Sequence, residues 1–144
     1  GASRDYRTVC EALNDIENKD RIHIFEYIYD MPQLMAAADL IVSRSGATSL
    51  TEIAALGRAS ILVPSPNVTE NHQYFNAKTF SDAGAAILLE EKDLSPESLY
   101  DAVNGVVFDT DKLNTMERAA KSLCNEHAAS DIADEIVALA EKHK

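Results

Sequence analysis

Short apolar runs alternate along this chain with longer amphipathic stretches, and that alternation restricts the fold more than any other feature. Residues 4–16 have helical spacing, with Val9, Leu13 and Ile16 on one side. Residues 22–27 predict a strand, and Asp30 starts a short helix carrying Met31, Leu34 and Met35. A second strand at 40–42 runs into a helix over 47–56, which Gly57 stops. A third strand at 60–63 is closed by Pro64 and Pro66, and a helix over 70–83 leads to a fourth strand at 85–89. Three helices follow, over 96–106, 112–123 and 129–142. Strands joined by helices in this order imply βαβ units and a parallel sheet, with right-handed crossovers placing helices on both faces. The expected fold is therefore α/β and Rossmann-like. Ligands of such a sheet bind at the carboxyl ends of its strands, here the loops 27–30, 43–48, 64–71 and 90–93.

A chain of 144 residues has room for one domain with a sizeable core, and no repeat or linker divides it. No apolar stretch reaches the roughly 20 residues needed to span a bilayer, and the start does not read as a signal peptide. Residues 1–3 read equally well as a tag remnant. Cys10 and Cys124 lack metal-ligand spacing and suit a pair of cytosolic thiols. The net charge of −11 repels phosphate backbones and anionic headgroups, which argues against nucleic acid as a partner. No basic or apolar patch for membrane contact is evident either.

The most informative segment runs from Ser43 to Glu52. A strand delivers the chain into a turn of small residues, and a helix begins at once. Amides at a helix start are unsatisfied and carry partial positive charge. Gly46 and Ala47 would let a phosphate approach them closely. Ser45, Thr48, Ser49 and Glu52 fall on one arc of a helical wheel, and Ala47, Leu50, Ile53 and Ala54 on the opposite one. A carboxylate one turn inside such a helix can accept both hydroxyls of a ribose. Ser49–Glu52 also fits a capping box, in which Glu52 only satisfies a backbone donor. Arg44 reads either as a phosphate ligand or as a surface ion-pair partner.

In the second segment Thr69 reads as an N-cap, placing His72 and Gln73 in the first turn, within reach of sugar hydroxyls. The alternative is a polar first turn with Tyr74, Phe75, Ala77 and Phe80 supplying the packing. Tyr27 and Ile28, after the first strand, could hold a planar base or simply pack. Asp109-Thr110-Asp111 imitates a metal-binding Asp-X-Asp, but its place between two helices suits a cap. No metal and no cofactor is expected.

Taken together these segments resemble the C-terminal domain of the MurG family, in the form found in Gram-positive bacteria. The resemblance rests on residues 28–31, 38–42, 44–48, 52–57, 63–66, 69–73 with 76–77, and 83–86. It implies a two-domain GT-B glycosyltransferase whose C-terminal domain binds UDP-N-acetylglucosamine. This transferase adds N-acetylglucosamine to lipid I, forming lipid II for peptidoglycan, by inversion and without a metal. By the same resemblance Tyr27 and Ile28 hold the uracil, and Arg44, Ser45 and Gly46 lie at the nucleotide pocket. Ala47 and Thr48 offer amides to the diphosphate, Glu52 takes the ribose, and Gln73 contacts the sugar. His72 departs from the family's glutamine pair. The family's Gly-Gly-Ser loop and first strand would precede this chain, as would its acceptor-binding, membrane-docking N-terminal domain. The expectation is a single domain over 1–144, truncated at the N-terminal edge of its sheet and inactive alone. Its parent would sit peripherally on the cytoplasmic membrane face.

Other UDP-sugar enzymes share this architecture. Lipid glycosyltransferases share the turn and the helix glutamate, whereas 2-epimerases have Ser-Gly-Gly where this chain has Ser45-Gly46-Ala47. A non-catalytic nucleotide-sugar subunit is the remaining alternative, although it would carry its own first strand and Gly-rich loop.

Overall fold

The structure, a computed structural model, describes residues 3–13 and 16–142. The chain divides into two compact units, Gly1–Met31 and Pro32–Lys144. The first contains α1 (Ser3–Ala12) and a short 3-10 turn at Lys19–Arg21. The helix expected over 4–16 is thus shorter than its pattern, and Gly1, Ala2, Asn14 and Asp15 lie outside the described residues.

Residues 22–27 form no strand, contrary to their alternating pattern. A strand exists only where a neighbour completes its hydrogen bonds. Among the described residues the paired strands are β1 (Leu40–Ser43), β2 (Ala59–Leu62) and β3 (Ala86–Leu88). Ile22, Phe25 and Tyr27 are accordingly exposed.

The second unit follows the βα alternation. After α2 (Met31–Ala37), β1 leads to α3 (Ala47–Leu56), β2 to α4 (His72–Asp82), and β3 to α5 (Pro96–Val107), α6 (Thr110–Ser122) and α7 (Ala128–Lys142). The sheet is parallel in the order β1-β2-β3, with Leu40 opposite Ala59 and Ser60 opposite Ala86. Strand alternation sends side chains to two faces. Ile41, Leu62 and Ala86 meet Leu50, Ile53 and Ala54 of α3 and Ala77 and Phe80 of α4. Leu40, Ala59 and Ile87 meet Val106 of α5 and Met116 of α6. Every residue of β2 is buried, as expected of a central strand covered on both faces.

Local chemistry sets the ends of these elements. At the close of α3, Gly57 takes φ 62° and its N–H donates to Ala54, while Arg58 N–H donates to Ile53. This is the left-handed glycine stop. The Arg58 guanidinium then donates to Glu117 of α6 at 3.2 Å and to the Ala36 carbonyl at 2.6 Å. Ser95 and Ser98 cap α5 reciprocally, and the Asp109 carboxylate accepts from Lys112 N–H at the start of α6. Asp109 is therefore a cap, as its position in the sequence suggests. The exposed apolar residues of α7, among them Ile132, Ile136 and Leu139, leave that helix without a buried residue among those described.

α4 begins later than its sequence implies. A 3-10 turn spans Thr69–Asn71, and the N-cap is Asn71 rather than Thr69. Glu70 and Asn71 both take positive φ, 55° and 53°, which redirects the chain before the helix can start. Asn tolerates that conformation readily and Glu does not. At Gly57 an added Cβ would lie 3.2 Å from Lys121 Cβ, in a left-handed backbone. Gly57→Ala is expected to lower stability by about 1–2 kcal/mol, read by urea denaturation.

Candidate functional site

Parallel pairing brings the exits of β1, β2 and β3 to one edge of the sheet, and the starts of α3 and α4 with them. Gly46 is the N-cap of α3 and makes no side-chain cap, so the first-turn amides at Ala47, Thr48 and Ser49 are left for solvent or a ligand. Gly46 has φ −67°, which any residue adopts, and a Cβ added there would meet nothing within 4 Å. Neither the fold nor its packing requires glycine at this position. What its missing side chain preserves is open space over the helix start.

With Gly46 as N-cap, Glu52 lies in the second turn of α3 and outside any capping box. It is half-buried and, among the described residues, has no hydrogen-bond or ion-pair partner. A lone carboxylate in this setting remains available to accept from a ligand. Leu50, Ile53 and Ala54 are buried as the helical wheel implies, whereas Ala47 is exposed. Ala47 lies at the mouth of the helix and borders a groove of about 400 Å³ with Leu50, Asn76, Phe80 and Cys124. Thr48 is exposed and Ser49 half-buried.

Ser45 is fully buried, not solvent-facing as its wheel position suggests. It precedes the helix, and its hydroxyl donates to the Gln73 carbonyl at 2.8 Å. Asn76 Nδ2 donates to the Ser45 carbonyl at 3.1 Å, and Ser65 N–H donates to Gln73 Oε1 at 2.9 Å. These bonds join the β1 exit, the β2 exit and the first two turns of α4. With Oε1 engaged, Gln73 presents its amide NH₂ as the free donor.

Arg44 is half-exposed and paired. One terminal nitrogen, Nη1, donates to the carbonyls of Val63 and Pro64, at 3.2 and 3.4 Å, and to the carboxylate of Glu91. His72 is exposed, and its Nδ1 lies 2.8 Å from the Thr69 carbonyl within its own turn. Phe75 is exposed, so Ala77 and Phe80 carry the packing of α4. At the exits of β2 and β3, Pro64, Asn71, Tyr74 and Glu91 border a hollow of about 340 Å³. Nearby, the hydrogen bond to Glu90 raises the Lys92 pKa above its ordinary value.

The structure thus bonds Ser45 to Gln73 and sets Arg44 beside them at the β1 exit, while Gly46, Ala47, Thr48 and Glu52 follow along α3 and His72 opens α4, bonded only within its own turn. Tyr27 and Ile28 belong to the first unit. There Tyr27 is 68% exposed and packs edge-on against Tyr29, ring centres 4.8 Å apart, while Ile28 is half-buried. Ser65 falls within the 63–66 segment of the resemblance without a role assigned to it, and Glu91 carries no sequence signal beyond its place in a strand-exit loop.

The parallel sheet with helices on both faces is Rossmann-like, and its likeness to a solved MurG structure places it among C-terminal domains of GT-B glycosyltransferases. Residues 3–136 match the glycosyltransferase family 28 C-terminal domain, and the chain belongs to that family. It is 44% identical over 127 residues to the UDP-N-acetylglucosamine–N-acetylmuramyl-(pentapeptide) pyrophosphoryl-undecaprenol N-acetylglucosamine transferase of Bacillus cytotoxicus, covering 88% of this chain and 35% of that protein. The Listeria welshimeri protein of the same name is 38% identical over 134 residues, 93% of this chain and 37% of its own length. The chain therefore spans about a third of the length of these relatives.

Among solved structures, MurG of Acinetobacter baumannii superposes with a TM-score of 0.84 at 28% identity, over 94% of this chain and 40% of that one. The glycosyltransferase VinC, solved with dTDP, shares the fold with a TM-score of 0.72 at 22% identity, over 94% of this chain and 32% of that one.

Burial of the Ser45 hydroxyl makes its bond to Gln73 structurally consequential. Ser45→Ala leaves the Gln73 carbonyl without that donor and is expected to destabilise by about 1–3 kcal/mol. A smaller loss in urea unfolding, within error of zero, would mean that water replaces the bond.

Proposed function

We propose that residues 1–144 form the UDP-N-acetylglucosamine-binding domain of a MurG-type transferase that converts lipid I to lipid II in peptidoglycan synthesis. The observation that carries this reading is the start of α3, where open space over Gly46 faces uncapped amides and Glu52 stands unpaired one turn further on. The diphosphate sits against the amides of Ala47 and Thr48, where the helix dipole favours negative charge. Glu52 accepts the ribose hydroxyls, and the free NH₂ of Gln73 donates to the sugar. The assignment of the uracil to Tyr27 and Ile28 rests on family resemblance alone. His72, turned to its own loop, makes at most a peripheral contact.

The reaction is a displacement with inversion. The acceptor hydroxyl attacks the anomeric carbon, the bond to the UDP oxygen breaks, and a base outside this chain takes the proton. Charge developing on UDP is met by the helix amides, so the chemistry runs without a metal. The acceptor and the membrane are engaged by a further domain, on the cytoplasmic face, and this chain alone does not turn over. Through lipid II the activity serves cell-wall growth, cell shape and division. Support comes from family membership and from the names of the relatives; among the described residues no helix is long and apolar enough to cross a membrane.

Titration calorimetry with UDP, UDP-GlcNAc, UDP-Gal and UDP-Glc tests the reading. Saturable binding that favours UDP-GlcNAc and weakens at least tenfold in Glu52→Ala is expected, since a charged hydrogen bond contributes about 1.5–3 kcal/mol. Equal binding by the variant would remove Glu52 from the ribose site. Gly46→Ala offers a sharper separation of fold from function. Its stability should fall by less than about 1 kcal/mol, because the site is open and φ −67° suits alanine, so the cost is limited to a poorer N-cap residue. Its UDP binding should nevertheless be lost, because the new methyl occupies the phosphate approach.

A further inference from the structure

The Arg44 side chain links the exits of all three strands. It leaves β1, donates to the carbonyls of Val63 and Pro64 after β2, and pairs with Glu91 after β3. The side chains of the pair are 52% and 39% exposed, so the ion pair itself adds little to stability. Its consequence is geometric. By holding the Val63 and Pro64 carbonyls, Arg44 fixes the start of the β2 exit loop. The next amide in that loop, Ser65 N–H, donates to Gln73 Oε1 and so decides which way the Gln73 amide turns. On the other side of Arg44, Ser45 bonds the Gln73 carbonyl and receives Asn76.

From this chain of contacts we infer that Glu91 is a positioning residue for the donor sugar, acting through Arg44, Ser65 and Gln73. Among the described residues, the proposed ligand-binding group to which Glu91 hydrogen-bonds is Arg44. It holds the guanidinium across the β2 carbonyls, keeps the Ser65 amide aimed at Gln73, and leaves the Gln73 NH₂ directed outward as a donor. The ligand group it serves is a hydrogen-bond acceptor on the sugar of a nucleoside-diphosphate sugar. The inference rests on the donor-binding reading for its ligand, but the contact network stands without it.

Two measurements on the chain test it, with Glu91→Gln and Glu91→Ala beside a control, Glu90→Gln. Glu90 lies in the same loop and carries the same charge, but pairs with Lys92 at 3.2 Å. Amide hydrogen exchange in the free protein should show Ser65 exchanging faster in both Glu91 variants. The β2 amides and the melting temperature should stay unchanged, and Glu90→Gln should behave as wild type. Calorimetry should show the preference for UDP-GlcNAc over UDP falling about three- to thirtyfold in the Glu91 variants, as expected for removal of a coupled positioning contact. Taking the ratio of the two affinities offsets most of the general effect of removing a negative charge near an anion site.

Unchanged Ser65 exchange would overturn the positioning role, and so would an unchanged affinity ratio. A folded wild-type chain that binds neither nucleotide would instead contradict the donor-binding reading. In that case the Ser65 exchange alone decides whether Glu91 orders the loop.

Discussion

The parallel pairing of β2 with β1 and β3 is the constraint on which the rest of the second unit depends. Parallel neighbours cannot be joined by a hairpin, so each connection must recross the sheet, here by way of a helix. The crossovers here are α3 and α4, and each begins at the edge where a strand ends. Burial of β2 on both faces fixes its register against its neighbours, since a one-residue slip would exchange the faces met by Ala59 and Leu62. Helix starts, strand-exit loops and their polar side chains are consequently held together on one edge. The candidate site is a product of that topology before any particular side chain is considered.

On that edge small energies are used for placement. The bonds among Ser45, Ser65, Gln73 and Asn76, and the clasp of Arg44 on Val63, Pro64 and Glu91, are individually modest contributions at a partly exposed surface. Together they settle where a helix start, a carboxylate and an amide donor point. Left-handed backbone at Glu70 and Asn71 adds to the same arrangement by turning the chain into α4. Strained conformations of this kind persist where the surroundings over-determine them, and they gather at functional edges.

Much of this was legible in the sequence wherever the cause was local. The bounds of α3 follow from a small-residue turn at one end and Gly57 at the other, and Asp109 declares itself as a cap by position. Where the cause was tertiary, the pattern misled or was silent. Residues 22–27 alternate like a strand, yet alternation cannot supply a neighbour. Thr69 has the chemistry of an N-cap, but the turn at Glu70 and Asn71 moves the helix start past it. Ser45 falls on a polar arc only if the helix is extended backwards over a residue that precedes it. Glu91 was invisible because its partner lies 47 residues away, and no local spacing encodes that contact. Tyr27 and Ile28 owe their proposed role to family resemblance, and the geometry of the second unit does not bear on them.

The central claim is that the start of α3 is an anion site for a nucleoside diphosphate. Titration of the ¹⁵N-labelled chain with UDP, followed by amide chemical shifts, tests it at the atoms concerned. The largest shifts are expected at Ala47, Thr48 and Ser49, with Gly46 and Glu52 following at the same saturation. Shifts concentrated elsewhere, with the amides of Ala47 and Thr48 unmoved at saturation, would contradict it.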